Sequence, residues 1–283
     1  MKRRTFSTIG GIFFLAAATA HAGWYFSDFS GLANDLDDPT PAGALNGYGG
    51  WNQSEANVAA NSPLSWGQSV DGADGAALGG FYATPNASSM NVSQSIGLPF
   101  AVDALAPVPS QISMTFTIGR DAGVDPFVQN TFEVGAYQGS SNLFSVVFQR
   151  NDVDQNVWEV FYRGGGGTNT TLSNAVVLDN FYTLTMGFTK DNADANFSLA
   201  LSNLSNSMTV GTSGVLAGLG NSTIDSLRVS MLQVPGEDLV ADPFSAYGTN
   251  YLAFTDVAVI PEPGSVALLS LAAGALFLRR RRA

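Results

Sequence analysis

Hydrophobic and polar residues alternate with a period of two through most of the middle of the chain. Ile112, Met114, Phe116 and Ile118 are interleaved with Ser113, Thr115 and Thr117. Phe132, Val134 and Ala136 alternate with Thr131, Glu133 and Gly135. Tyr182, Leu184, Met186 and Phe188 alternate with Thr183, Thr185 and Gly187; Phe197, Leu199, Leu201 and later Leu227, Val229, Met231 continue the pattern. Successive side chains of a strand point to opposite faces, so this pattern predicts strands with one buried and one wet face. Residues 143–148 and 157–162, the latter with Trp158, read as further strands rich in aromatic and β-branched types. No sustained 3.6-residue apolar period competes with them between the two ends.

The punctuation agrees. Residues 151–156, 164–167 and 191–196 are turn-rich stretches of Asn, Asp and Gly between strand candidates. The first hundred residues are less regular: 31–50 reads as loop, and 76–82 and 90–96 as weaker strands. There is no internal repeat and no clear linker. One wet and one buried face per strand is the mark of antiparallel sheets packed against each other, so the expected fold is a single all-β antiparallel β-sandwich.

Both ends depart from this pattern. Lys2, Arg3 and Arg4 precede an apolar stretch over residues 9–18, and Ala20-His21-Ala22 has the small-x-small form of a leader cleavage site, with Gly23 as the expected mature start. The apolar stretch is short for an anchor that must cross about 20 residues of bilayer. General secretion is expected, although Arg3-Arg4-Thr5-Phe6 partly matches the twin-arginine signal. At the other end, Pro261-Glu262-Pro263 is followed by an apolar run over 266–278 and then Arg279, Arg280, Arg281 and Arg282. Thirteen helical residues reach only about 20 Å, short of a ~30 Å hydrocarbon core unless the arginines snorkel. Arginines held on the cytoplasmic side put the rest of the chain outside.

Charge narrows the partners. Between the leader and the terminal arginines lie only Arg120, Arg150, Arg163, Lys190 and Arg228, five cations against all 23 acidic residues, a balance of −18. Such a surface repels phosphate backbones and anionic lipid, so nucleic acid is not an expected partner. The chain has no cysteine, and its one histidine, His21, lies in the leader. The mature domain therefore has no imidazole for a Ser-His-Asp or Cys-His mechanism or for a His-ligated metal, and no thiol. No cofactor is expected.

The three-part tail of Pro261-Glu262-Pro263, apolar helix and Arg279–Arg282 resembles the PEP-CTERM sorting signal of Gram-negative bacteria. Ile260 before the motif and Gly264-Ser265 after it depart mildly from that family's usual Val and Ser-Thr. The resemblance implies recognition by an exosortase, a membrane-embedded cysteine protease that cuts near the motif. The product then passes to the cell surface or extracellular matrix. The expected organisation is a signal peptide over 1–22, one sandwich domain over 23–259 and a sorting tail over 260–283. The expected processing partners are a signal peptidase and the exosortase. In the middle, the segments 44–51 (Ala-Leu-Asn-Gly-Tyr-Gly-Gly-Trp), 181–186 and 251–257 resemble strands of the concanavalin-A-like lectin/glucanase jelly roll. That resemblance implies a jelly-roll sandwich and, as an alternative to a purely structural role, binding of extracellular polysaccharide.

Enzymatic readings find little to stand on. The glucanases of that fold set carboxylates along one strand as E-x-D-x-E, and none of Glu55, Glu133, Glu159, Glu237 or Glu262 has Asp two residues on. No catalytic residue is therefore carried over, and a glycoside hydrolase is the weakest alternative. Asp152, Asp154 and Asn156 open like a calcium loop, but Val157 stands where glycine is required and Arg163 where the closing glutamate belongs. With Asp191, Asp194 and Asn196 they are weak calcium candidates; the alternative is a pair of polar hairpin turns. Gly164 to Gly167 lack the Lys-Ser/Thr of a phosphate loop and read as a turn. Trp51, Trp66 and Trp158 would stack on sugars if exposed and fill the core if not.

Overall fold

The computed structural model describes residues 25–26, 29–32, 45–56, 65–79, 88–99, 110–120, 129–151, 153–154, 156–234 and 250–261. The leader, with Ala20, Ala22 and Gly23, and the tail from Glu262 through Arg282 lie outside them. Fifteen strands are described: β1 (Tyr25–Phe26), β2 (Trp51–Ala56), β3 (Ser65–Val70), β4 (Ala73–Leu78), β5 (Ser88–Pro99), β6 (Ser110–Arg120), β7 (Gln129–Gln138) and β8 (Ser141–Arg150). They continue as β9 (Val157–Gly164), β10 (Thr170–Val177), β11 (Phe181–Asp191), β12 (Asp194–Asn203), β13 (Thr209–Leu216), β14 (Thr223–Val234) and β15 (Asn250–Pro261).

They form two antiparallel sheets. One has eight strands in the order β13-β12-β11-β6-β15-β4-β3, with β1 also on β15; the other has seven, β10-β9-β8-β7-β14-β5-β2. Runs of neighbours are joined by short turns, β7 to β10 in one layer and β11 to β13 in the other. The last two strands then return to the middle: β14 enters between β7 and β5, and β15 between β6 and β4. The chain thus completes each sheet with a strand distant in sequence.

Alternation selects the faces as expected. Ile112, Met114, Phe116 and Ile118 of β6 meet Phe132, Val134, Ala136, Phe144, Val146 and Phe148 of the opposite layer in one core. Cross-sheet ring pairs mark the seam: Phe116 with Phe148 at 4.9 Å, Phe144 with Phe197 at 4.8 Å, and Trp51 with Phe254 at 5.5 Å between centroids. Fully burying a phenylalanine removes enough apolar surface from water to stabilise by about 1.5–3 kcal/mol. That suits a domain without disulfides.

Two hairpins show how local sequence sets register. Asp71 and Gly72, between β3 and β4, have φ of 49° and 80°, the left-handed pair that an Asp-Gly turn supplies and that matches strand twist. Asn192, in the turn between β11 and β12, has φ 55°, and ten consecutive residue pairs from Tyr182↔Asn203 to Asp191↔Asp194 follow it. At the C-terminal end the ladder runs past the boundary expected at Val259: Ile260 pairs with Gln111 and Pro261 with Ser110. The first residue of the Pro-Glu-Pro motif is therefore still in the sheet. Among the described residues no helix is long and apolar enough to cross a membrane.

Candidate functional site

The polar side of the seven-stranded sheet carries the densest side-chain network among the described residues. With Phe132, Val134 and Ala136 turned inward on β7, Glu133, Gly135 and Tyr137 face out. Register then lines up one row across four strands: Arg228 pairs with Gly135, Gly135 with Ser145, and Ser145 with Arg163. Gly135 leaves a gap in that row. A Cβ there would lie 2.7 Å from Cε2 of Tyr137, so only glycine lets the tyrosine ring lie back along its own strand. The Tyr137 hydroxyl thereby reaches Glu133 and donates to its Oε1 at 3.0 Å.

Glu133 is the hub. Its Oε1 also accepts from Nδ2 of Asn142 at 2.7 Å, and its Oε2 takes an ion pair from Arg163 at 2.5 Å. Arg163 also donates from Nε to the Ser145 hydroxyl at 3.2 Å. On the far side of the ring, the Arg228 guanidinium carbon sits 4.2 Å from the Tyr137 centroid, a cation–π contact, and the same group donates to the Gly139 carbonyl. Burial, then the Glu133 charge and its hydrogen bond, push the Tyr137 hydroxyl up to about 12, with the two arginines pulling the other way. Tyr137 is thus a neutral donor at any ordinary pH.

The network is satisfied around Glu133 and incompletely satisfied elsewhere. Asn142 Oδ1, Arg228 Nε and Ser226 Oγ are shielded yet have no hydrogen-bond partner among the described residues. Ser226 pairs with Tyr137 in the ladder, so all three atoms surround that ring. They are one acceptor, one N–H donor and one hydroxyl that does either, enclosed where a bridging water would satisfy them. Two of the five cations between the chain ends, Arg163 and Arg228, are gathered here.

The same geometry bears on acid–base chemistry. A glycosidase needs two carboxyl groups flanking one bond; Glu133 is the carboxylate at the centre of this network, and Asp225 at its margin accepts from the Gly139 amide at 2.7 Å. Glu159, on the same side of β9, lies two strands away and two residues along, about 12 Å by strand geometry. Its Oε1 is turned to Asn151, which donates at 2.8 Å.

The residues singled out by sequence sit elsewhere. The loop after β8 is an Asx-type turn: Asn151 Oδ1 accepts from the amides of Val153 and Asp154, and Asp154 Oδ1 from that of Asn156. Asp152 lies outside the described residues. Asp191 accepts from the side chains of Asn192 and Asn196, and Asp194 from the Gly218 amide at 2.8 Å. Among the described residues no three acidic or metal-ligating side chains converge. Gly164 to Gly167 make the expected turn, with Gly165 and Gly166 left-handed. Trp51, Trp66 and Trp158 are all buried, so none of them stacks on a sugar. Two hollows, about 490 Å³ beside Tyr162, Phe197 and Leu216 and about 240 Å³ beside Gln111, Thr185 and Asn196, share no residue with the network.

No family model and no curated protein matches the chain. Solved structures do. The chain is similar to a seed lectin of Lotus tetragonolobus at 11% identity over 75% of this chain and 93% of that one, TM-score 0.45. It is similar to the alginate lyase of Klebsiella pneumoniae at 9% identity over 71% and 84%, TM-score 0.43. A GH131 beta-glucanase catalytic domain of Podospora anserina follows at 10% identity over 71% and 80%, TM-score 0.41. At this level the likeness adds nothing beyond the layered antiparallel architecture seen directly.

Proposed function

We propose that the chain is an exported β-sandwich that works at the cell surface or in the extracellular matrix by binding, not by catalysis, and that it binds polysaccharide on the outer face of its seven-stranded sheet. The observation that carries the ligand is the Glu133–Arg163–Tyr137–Asn142 network. Its members bond one another, and it sets the half-buried Tyr137 beside Asn142, Ser226 and Arg228 on the outer face. Polar side chains ordered beside an aromatic residue are groups by which sugars are recognised. The absence of histidine and cysteine from the mature chain, and a carboxylate already held by three donors, support the non-catalytic reading. Location rests on the two ends: a leader removed after Ala22 and a tail of Pro261-Glu262-Pro263, short apolar run and four arginines.

The test is an array of neutral and uronic-acid polysaccharides probed with the full chain and with Asn142→Ala. Binding that falls at least tenfold in the variant supports the site; equal binding places the ligand elsewhere, and turnover of any glycan refutes the non-catalytic reading. Location is read by intact mass of protein recovered from the native surface. A species still ending in Arg279-Arg280-Arg281-Arg282-Ala283 would make the tail a permanent anchor.

A further inference from the structure

Two strands join two sets of strands that otherwise share no ladder. β6 to β13, contiguous in sequence from Ser110 to Leu216, pair among themselves as β13-β12-β11-β6 in one layer and β10-β9-β8-β7 in the other. β3 pairs with β4, and β2 with β5. Among the described residues, the ladders from these four to the rest run only through β15, which lies between β6 and β4, and through β14, which lies between β7 and β5. Backbone N–H and C=O groups need partners when buried, so β2 to β5 depend on β14 and β15 for their place in the sheets.

The ring contacts divide at the same place. Phe116 meets Phe148, and Phe144 meets Phe188 and Phe197, all within β6 to β13. Phe29, Trp51 and Phe254 pack on one another with centroids 5.5–6.4 Å apart, and Trp66 packs on Tyr251 at 5.8 Å, all within the remainder. The joint in the eight-stranded sheet is also less regular than the ladders inside the first set. β6 meets β11 in eight consecutive pairs, from Phe181↔Thr117 to Phe188↔Ser110. It meets β15 through a register shift between Thr255 and Ala258, where Asp256 has φ 51°. Such a bulge leaves a residue unpaired and disrupts the ladder locally.

We infer that β14 and β15 form a strap, which opens as one cooperative unit with β1 to β5 while β6 to β13 stay folded. The joint runs through the Tyr137 network. Glu133, Tyr137, Asn142 and Arg163 lie on β7, β8 and β9, whereas Ser226 and Arg228 lie on β14. The strap therefore supplies the Arg228 guanidinium over the Tyr137 ring, its bond to the Gly139 carbonyl, and the Asp225 carboxylate that accepts from the Gly139 amide. Closing it completes that outer face. Opening it strips the cation from the ring and leaves the Glu133–Arg163 pair in place, and it also releases the last rung of β15, Pro261↔Ser110. The opening is independent of what the outer face binds.

Position in the sheets predicts the reverse order. β14 and β15 are inner strands with a neighbour on each side, and core strands are ordinarily the last to open. Amide hydrogen exchange of the full chain in detergent, read segment by segment over a urea series, separates the two cases. β4, β5, β14 and β15 should exchange together well below the unfolding midpoint, and β7, β8 and β11 only with global unfolding. The chain has no cysteine, so thiol labelling gives a second measure. Val146 of β8 and Val229 of β14 are both fully buried and flank the same residue, Val134. Compared at equal distance from its own unfolding midpoint, Val229→Cys should label about tenfold faster than Val146→Cys, with about half the urea dependence, because that slope follows the surface exposed. The proposal is overturned if β14 and β15 are protected as strongly as β8 and β11, if the two cysteines label with the same rate and slope, or if β6 to β13 open first.

Discussion

Raising the pH through the titration of Tyr137 should unlock the outer network in a way that can be measured against theory. The ordinary tyrosine pKa of 10.0 is raised to about 12 in the folded chain, first by burial and then by Glu133. The folded state therefore holds this proton more tightly than the unfolded chain does. The stabilisation is complete below pH 10 and is lost as pH climbs from 10 through about 12. Two pKa units correspond to about 2.7 kcal/mol. The ring is only half-buried, and solvent screening brings the expected loss nearer 1–2 kcal/mol. The assay is urea unfolding of the wild-type chain and of Tyr137→Phe at a series of pH values from 8 to 12. Phenylalanine keeps the ring on Gly135 and beneath Arg228 but has no proton to lose, so the gap between the two proteins should close as pH rises. Because the chain has eight tyrosines, the tyrosinate absorbance difference between wild type and variant isolates the one of interest. A difference titration centred on the ordinary value, or a stability gap constant with pH, would refute the account of a tyrosine locked onto Glu133.

Other consequences follow from packing and from the turns. Phe144→Ala empties a fully buried site between Phe188 and Phe197 and should cost about 3–5 kcal/mol in the same urea assay. Gly75→Ala would place a Cβ 2.7 Å from the Phe254 carbonyl oxygen and 2.8 Å from that of Gln68. Both are backbone atoms in the ladder, and a loss of about 1–3 kcal/mol is expected. Calcium should leave the melting temperature nearly unchanged, since Asp154 already accepts from the Asn156 amide of its own loop and Asp194 from the Gly218 amide in the turn after β13; a rise of several degrees at sub-millimolar calcium would show a site there. Glu133→Gln can keep the Tyr137 and Asn142 contacts through its oxygen but turns an amide N–H toward the Arg163 donor, weakening polysaccharide binding and costing about 1–3 kcal/mol of stability.

Local sequence carried the layers because the direction of a side chain on a strand is a local property. Alternation alone located β6, β7, β11, β12 and β14 and told which of their side chains face the core, Glu133 among those that do not. Turn residues did as much for the hairpin at Asn192 and the Gly165-Gly166 corner. Apart from the two-residue β1, the strands that escaped reading, β2, β3, β10 and β13, are the edges of the two sheets. An edge strand has one neighbour and buries less, so Thr, Ser, Gly and Asn serve there and the apolar signal fades, as in the Thr209–Leu216 segment. Burial of Trp51, Trp66 and Trp158 was open from sequence, because an aromatic residue fits a core or a binding face equally well until its neighbours are known. Adjacency across strands was wholly invisible. Glu133 and Arg163 are 30 residues apart, and Arg228 reaches the same row only because β14 inserts between β7 and β5. Chain composition settled that the outer faces would be polar and acidic; only the pairing of distant strands decided that two of its few cations would share one carboxylate and one tyrosine, since hydrogen-bond register, not proximity in sequence, sets which side chains meet on a sheet.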